Sequence, residues 1–215
     1  MACPARPEVL LQKKALKAAE QARPDVAVRR AQWPLLQAGI DPSRLKFLDE
    51  TWAKTNMVRG YGRSLRGRRL VGQAPAGHWK TTTFVCALGS EGLFAPTVVD
   101  GAMNGATFLA YVRQQLAPAL RSGDVVVLDN LSAHKVAGVR EAIEAVGAVV
   151  VYLPPYSPDF NPIEMVFSKL KRMLRSAGKR TVDDLRNFLG KSLDAFPPDE
   201  CRRYIRHAGY TATAA

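Results

Sequence analysis

Cysteine is scarce in this 215-residue chain, with three in all. Cys3, Cys86 and Cys201 are widely spaced and form no C-x-x-C pair, so neither a disulfide framework nor a zinc site is indicated, and they read as free thiols. Acids are also in short supply: 19 Asp and Glu stand against 31 Lys and Arg, giving a formal net charge of +12 and a pI near 10.0. A balance this basic favours polyanionic partners such as DNA or RNA. Long apolar runs are missing. The longest, Ala145 to Leu153, is nine residues, too short to span a bilayer, and a basic membrane-surface protein would need a basic amphipathic helix or a lipidation signal. No membrane partner is expected. The segment from Met1 to Pro7 lacks the apolar stretch of a secretory signal, since Leu10-Leu11 runs straight into Gln12-Lys13-Lys14; the expected setting is intracellular.

The chain holds 47% hydrophobic and 23% charged residues, the balance of a globular protein with one core. Helical spacing over residues 8–22 and a second short helix from Asp25 to Gln37 suggest an N-terminal arm or domain remnant over residues 1–40. Residues 41–210 then read as one domain. Its order is strand 45–49, basic segment 53–80, strands 81–88 and 92–99, helix 105–120, strand 124–129, helix 135–146 and strand 148–153. This predicts a mixed α/β sheet, antiparallel first and then parallel through right-handed crossovers. A proline-rich loop, 154–162, leads into a helix from Ile163 to about Ala177. A helical tail starts at Thr181-Val182-Asp183-Asp184, a capping-box pattern, and restarts at Pro197-Pro198-Asp199-Glu200.

Three acids stand out against the basic background. Asp129 closes the strand Val125-Val126-Val127-Leu128, Asp49 ends the strand Leu45-Lys46-Phe47-Leu48, and Glu164 opens a helix 35 positions after Asp129. Open α/β sheets bind ligands beyond the carboxyl ends of their strands. Carboxylates there suit hard divalent ions, and two such ions about 4 Å apart polarise a phosphoryl oxygen, activate a nucleophile and stabilise a leaving oxygen. Each acid has a plainer reading. Asp49 also fits a turn or cap, and Asn161-Pro162-Ile163-Glu164 fits N-cap to N3 of a helix, with Glu164 a capping glutamate. Period-two alternation sends Glu50 to the face opposite Asp49. Asp100 and Asp159 read as turn residues.

Ser132 and His134 follow Asp129 but lack the G-x-S-x-G elbow of a serine hydrolase. His134 either positions a phosphate or water or starts a helix; Asn130 is a hydrogen-bonding partner of the carboxylates or a turn residue. The segment 53–80 carries Arg59, Arg63, Arg66, Arg68, Arg69 and Lys80 without an acid, a phosphate-contacting surface or a solvated loop. In the helix after the proline-rich loop, Lys171, Arg172 and Arg175 share the face of Glu164, opposite an apolar stripe of Ile163, Val166, Phe167, Leu170 and Leu174. Trp52 and Trp79 either flank a cleft or pack in the core.

Phe47-Leu48-Asp49-Glu50-Thr51-Trp52, Val127-Leu128-Asp129-Asn130 with Ser132-Ala133-His134-Lys135, and the block Leu153-Pro154-Pro155-Tyr156-Ser157-Pro158-Asp159-Phe160-Asn161-Pro162-Ile163-Glu164 together resemble DDE transposases of the mariner superfamily, in its bacterial insertion-sequence branch. The resemblance implies a ribonuclease-H-like fold and a metal-binding, catalytic triad of Asp49, Asp129 and Glu164. It implies two Mg²⁺ or Mn²⁺ ions, Asp49 bridging both. Family chemistry is hydrolysis at the element's ends and attack of the freed 3′-hydroxyl on target DNA. A DNA-bound homodimer, with the basic insertion clamping between protomers, and a cytoplasmic, nucleoid-associated location in a bacterium are implied as well. Relatives carry a paired helix-turn-helix region for which the residues before Leu45 are too few, so a catalytic half is expected. The alternatives are an inactive or truncated remnant that binds DNA without cutting it, and a host ribonuclease-H-like nuclease or junction enzyme.

Overall fold

The computed structural model describes residues 18–211, and strand β1, Leu45–Lys54, lies at the centre of its single five-stranded sheet. Around it run β2 (Thr81–Gly89), β3 (Gly92–Asp100), β4 (Val125–Leu128) and β5 (Val149–Tyr152), in the spatial order β3-β2-β1-β4-β5. The pairs β1·β2 and β2·β3 are antiparallel, whereas β1·β4 and β4·β5 are parallel. The expected switch from hairpins to crossovers is therefore present. β1 is longer than the sequence suggests. Its antiparallel ladder with β2 runs from Phe47↔Leu88 to Lys54↔Thr81, so Asp49 does not end the strand; it stands just past the last parallel pair with β4, Leu48↔Leu128.

The helices are α1 (Pro24–Gln37), α2 (Gly105–Tyr111), α3 (Val139–Glu144), α4 (Ile163–Ala177), α5 (Val182–Ser192) and α6 (Pro198–His207). Each face of the sheet carries its own core. Leu45, Phe47, Phe84, Cys86 and Val127 pack with Trp33 of α1 and the apolar stripe of α4, joined by Leu185, Leu189 and Ile205. On the other face Leu48, Val85, Val126, Leu128 and Val150 pack against Phe108, Val112, Leu116, Val139 and Ile143. Cys86 and Cys201 are buried free thiols; Cys3 and most of the expected 8–22 helix lie outside the described residues. Among these, no helix is long and apolar enough to cross a membrane.

Two expected helices are shorter than their patterns. The 105–120 segment is α-helical only to Tyr111, widens to a π turn at Val112–Leu116 and tightens at Ala117–Ala119, because Pro118 has no N–H and its ring disfavours a continued α-helix. The 135–146 segment is a 3₁₀ turn, Ser132–Lys135, and a separate α3, divided by Gly138 at φ 93°. A side chain at that left-handed position would be strained. In the tail, Thr181 Oγ1 accepts the N–H of Asp184 at 3.0 Å, capping α5.

α4 is tied to the tail by an ion pair. Lys169 Nζ donates to both oxygens of Glu200 (2.9 and 2.7 Å) and to the Ala195 carbonyl (2.6 Å). Lys169, and then the Tyr204 hydroxyl, hold the Glu200 carboxyl below its ordinary value. A depressed acid stabilises the fold above its unfolded pKa and loses that contribution as pH falls through the folded one. Glu200→Gln is expected to cost about 1 kcal/mol, discounted for partial exposure. In thermal melts it should also reduce the loss of stability seen below about pH 4.5.

Candidate active site

Alternation along the strands decides which acids meet. Leu45 and Phe47 belong to the α4-side core and Leu48 to the other, so Asp49 faces α4 while Glu50 faces α2 and α3. Val127 is likewise in the α4-side core, which directs Asp129, two residues on, toward the side of Asp49. These two acids are the next residues of adjacent parallel chains beyond Leu48↔Leu128. Glu164 enters from the first turn of α4. Asp49, Asp129 and Glu164 thereby line one cleft of about 370 Å³ with Asn130, Asn161 and the Pro154-Pro155-Tyr156 turn.

Asp49 is the buried member, 7% exposed. Its Oδ1 accepts the Glu50 N–H at 2.7 Å and its Oδ2 accepts Asn161 Nδ2 at 2.9 Å. Burial and then the charge of Asp129 push its carboxyl well above the usual range, Glu164 adding to the effect against the Glu50 N–H. Glu164 presents to the open cleft, yet desolvation by the surrounding walls, and less so Asp129, raises its carboxyl against the opposing pull of Lys171. Pro162 is the residue before α4, and Asn161 spends its side-chain amide on Asp49. The N-cap to N3 reading of Asn161 and Glu164 is therefore not the arrangement observed.

Among the described residues no three Asp, Glu, His or Cys side chains form a preassembled cage for an ion; the acids line an open cleft instead. The donor set still suits a hard divalent cation, since each Asp49 oxygen keeps a lone pair beyond its one hydrogen bond. Mutual repulsion among the acids is what such a charge would relieve. Asn161 Oδ1, buried on the same wall, has no partner, as expected of a group that meets a water or an ion.

His134 is fully buried, its ring centroid 4.2 Å from that of Phe108 with the two planes tilted by 32°. Its Nε2 lies 2.8 Å from Glu50 Oε2, and its Nδ1 lies 2.6 Å from Asp129 Oδ1, a close ion contact without good hydrogen-bond alignment. Burial alone would depress its pKa, but Asp129 and Glu50 together outweigh it and raise the imidazole to about 9. His134 is closed to solvent, so it acts on the cleft through Asp129. Asn130 sits at the cleft edge, its Oδ1 contacted by Lys135 Nζ. Glu50 faces away from Asp49 as alternation requires, but His134 links it to the cleft from behind; only the helix-side position of His134, invisible in the sequence, makes that link.

Trp52 is exposed beside the site rather than in the core, with Lys54 Nζ and Lys171 Nζ 4.8 and 4.6 Å from its ring. Trp79 is exposed too. The segment carrying Arg59, Arg63, Arg66, Arg68, Arg69 and Lys80 is irregular and exposed. Its base is closed by Thr55 and Lys80, which exchange backbone and side-chain bonds of 3.1 Å. Arg59 Nε donates to Ser176 Oγ of α4 at 3.0 Å, bringing the segment against Arg172 and Arg175 across a shared groove. Lys171 is half-buried on the adjoining face.

Over residues 44–188 the sequence matches the DDE superfamily endonuclease family. No curated protein sequence matches the chain. The fold is similar to the Mos1 mariner paired-end complex with Mn, at 17% identity and a TM-score of 0.75 over 93% of this chain and 64% of that one. It is similar to the Mos1 Strand Transfer Complex at 16% identity and a TM-score of 0.75, covering 94% and 63%. For the Mos1 catalytic domain the values are 17% and 0.62, covering 90% and 91%. The chain thus spans less than two thirds of the Mos1 chains in those complexes. At such identities the likeness establishes the architecture, the ribonuclease-H-like mixed sheet flanked by helices. Since the sequence match extends over more than half of the residues and spans all three acids of the cleft, the chain belongs to the DDE superfamily endonucleases.

Proposed function

We propose that the chain is the catalytic domain of a transposase in the bacterial insertion-sequence branch of the mariner superfamily, cutting DNA at element ends and joining the freed ends to target DNA. One observation carries the reading: three carboxylates from β1, the end of β4 and α4 converge on one cleft, two of them raised by burial and mutual charge. Asp49, Asp129 and Glu164 would hold two Mg²⁺ or Mn²⁺ ions, a choice supported by Mos1 structures described with Mg and with Mn. Such ions polarise a phosphoryl oxygen and activate a water or hydroxyl.

The protein's own groups do the rest. Asn161 orients Asp49, and His134 fixes Asp129 against Glu50. The Lys171 ammonium on the Trp52 ring supplies positive charge where a strand reaches Glu164. Arg172 and Arg175, with Arg59 across the groove, suit successive phosphates and anchor by charge rather than by sequence. Arg63, Arg66, Arg68 and Arg69 extend that surface. The exposed Tyr61, Leu65 and Val71 among them favour a second copy of the chain on the same DNA, a homodimer acting at the nucleoid.

The test is direct: purified chain, terminal-repeat DNA and Mg²⁺ or Mn²⁺. Nicking by the wild type and its loss in Asp129→Ala is the expected result; cleavage that persists unchanged in Asp129→Ala would sink the proposal. Salt-sensitive binding without nicking under either metal would identify the binding-only remnant instead. Equal or better cutting of RNA–DNA hybrid or branched DNA would point to a host nuclease.

A further inference from the structure

The proline-rich loop is held from outside by the helix that precedes the sheet in sequence. Arg30, on α1, donates from Nη1 to Ser157 Oγ (2.7 Å) and Asp159 Oδ1 (2.9 Å), and from Nη2 to Asp159 Oδ2 (2.7 Å). Its guanidinium also lies 4.7 Å over the Phe160 ring. Just before α1, Gln21 Nε2 donates to the Tyr156 carbonyl at 2.7 Å. One turn beyond Arg30, Trp33 stacks on Phe160 and donates its indole N–H to Tyr210 Oη at 3.1 Å. Tyr210 in turn donates to the Phe160 carbonyl at 2.7 Å. Four of the five residues from Tyr156 to Phe160 are thus gripped by side chains more than 45 positions away in sequence.

The grip falls where the backbone needs it. Tyr156 is a non-glycine residue at φ 55°, a left-handed conformation that persists only when its surroundings enforce it. The residue after the gripped stretch is Asn161, which donates to Asp49, and two residues later α4 begins and brings Glu164 to the cleft. A planar, bidentate guanidinium that also stacks on an aromatic ring fixes orientation as well as distance, which an ammonium does not.

We infer that Arg30 is a positioning residue for the acidic cleft: through Ser157, Asp159 and Phe160 it sets the loop that places Asn161 on Asp49 and Glu164 opposite Asp129. The inference rests on the proposal that the cleft holds divalent ions, but it is read out by measurements that need no DNA cleavage. The full chain would be prepared as wild type, Arg30→Ala, Arg30→Lys and Asp159→Asn, and compared by amide hydrogen exchange and by calorimetric titration with MnCl₂.

In Arg30→Ala, exchange over residues 156–164 should quicken on the order of tenfold while β1 and β4 stay protected. Mn²⁺ affinity should fall on the order of tenfold, the usual effect of losing a group that orients a metal ligand. Arg30→Lys should lie between wild type and Arg30→Ala. Asp159→Asn, a milder change at an exposed partner, carries the same test should Arg30→Ala fail to fold. Wild-type exchange in the loop, or a loosening spread evenly over the sheet, overturns the inference. A wild type that cuts no DNA, alongside an Arg30→Ala loop that still loosens, removes the transposase proposal and leaves the positioning role standing. Should the wild type bind no Mn²⁺, loop exchange alone decides.

Discussion

Asp49→Asn is expected to abolish DNA cleavage and, in metal-free buffer, to make the protein more stable. The first effect follows from ligand chemistry. A neutral amide oxygen lacks the negative charge with which a carboxylate balances a hard divalent ion and holds it more weakly, and losing several kcal/mol of charge stabilisation at the reacting phosphate slows the reaction on the order of a thousandfold or more. The second follows from the site's own electrostatics. Asp49 is buried in the cleft it shares with Asp129 and Glu164, and burial and then Asp129 push its carboxyl upward, so its charge opposes folding at neutral pH. For an acid raised in this way the folded state is favoured below the ordinary carboxylate range and loses that advantage as pH rises.

The hydrogen bonds tolerate the change. The Glu50 N–H keeps an acceptor at the retained oxygen. Asn161 can turn its amide so that Oδ1, now without a partner, accepts from the new NH₂. Relief of about 1 kcal/mol, typical where a functional site gives up strain or repulsion, should raise the melting temperature by several degrees without metal. The order should reverse when Mn²⁺ is added, since only the wild type gains the stabilisation that comes from binding. Calorimetric melts of both proteins with and without MnCl₂, run beside the cleavage assay, check both halves. A variant that melts below the wild type in metal-free buffer would overturn the reading that the Asp49 carboxyl opposes folding at neutral pH.

The part of the site that the sequence reveals is the part built from chain-local rules. Alternation along Leu45 to Glu50 assigns Asp49 and Glu50 to opposite faces, and the stripe Ile163, Val166, Phe167, Leu170, Leu174 fixes which side of α4 is buried. Where the sequence misleads, a long-range partner decides. β1 continues through the polar residues after Asp49 because β2 offers a complete antiparallel ladder, and no local pattern announces that partner. Asn161 has an ideal helix-cap context yet turns its amide to Asp49, because a buried carboxylate needs a donor more than the helix end needs a cap. Arg30 shows nothing in its local sequence, and its role depends on α1 folding back over a loop 127 positions later. His134 can be located next to Asp129 from the sequence, but not its second contact with Glu50 from behind the sheet.

That second contact leads to the largest stability effect to be expected from a single substitution at the site. His134→Ala removes a fully buried imidazole that separates two carboxylates, with contacts of 2.8 Å to Glu50 and 2.6 Å to Asp129, and leaves a void against Phe108. Two costs add. Breaking a buried ion pair by deleting one partner typically costs about 3–5 kcal/mol, because the remaining charges lose their compensation, and the lost ring contact contributes further through the cavity. The carboxylates have some escape, since Asp129 is 31% exposed and Glu50 17%, so a net loss of about 3 kcal/mol is the expected result of denaturant unfolding. Glu50→Gln separates charge from shape. It keeps the side chain's volume and an acceptor for Nε2 but removes one negative charge, leaving Asp129 as the sole anionic partner of His134, and should cost about 1–2 kcal/mol. In the double variant the two losses should fall short of their sum by about 1 kcal/mol or more, because removing Glu50's charge also relieves the repulsion that His134→Ala exposes. Strict additivity in that cycle would mean that His134 fills space against Phe108 and does not join β1 to the end of β4.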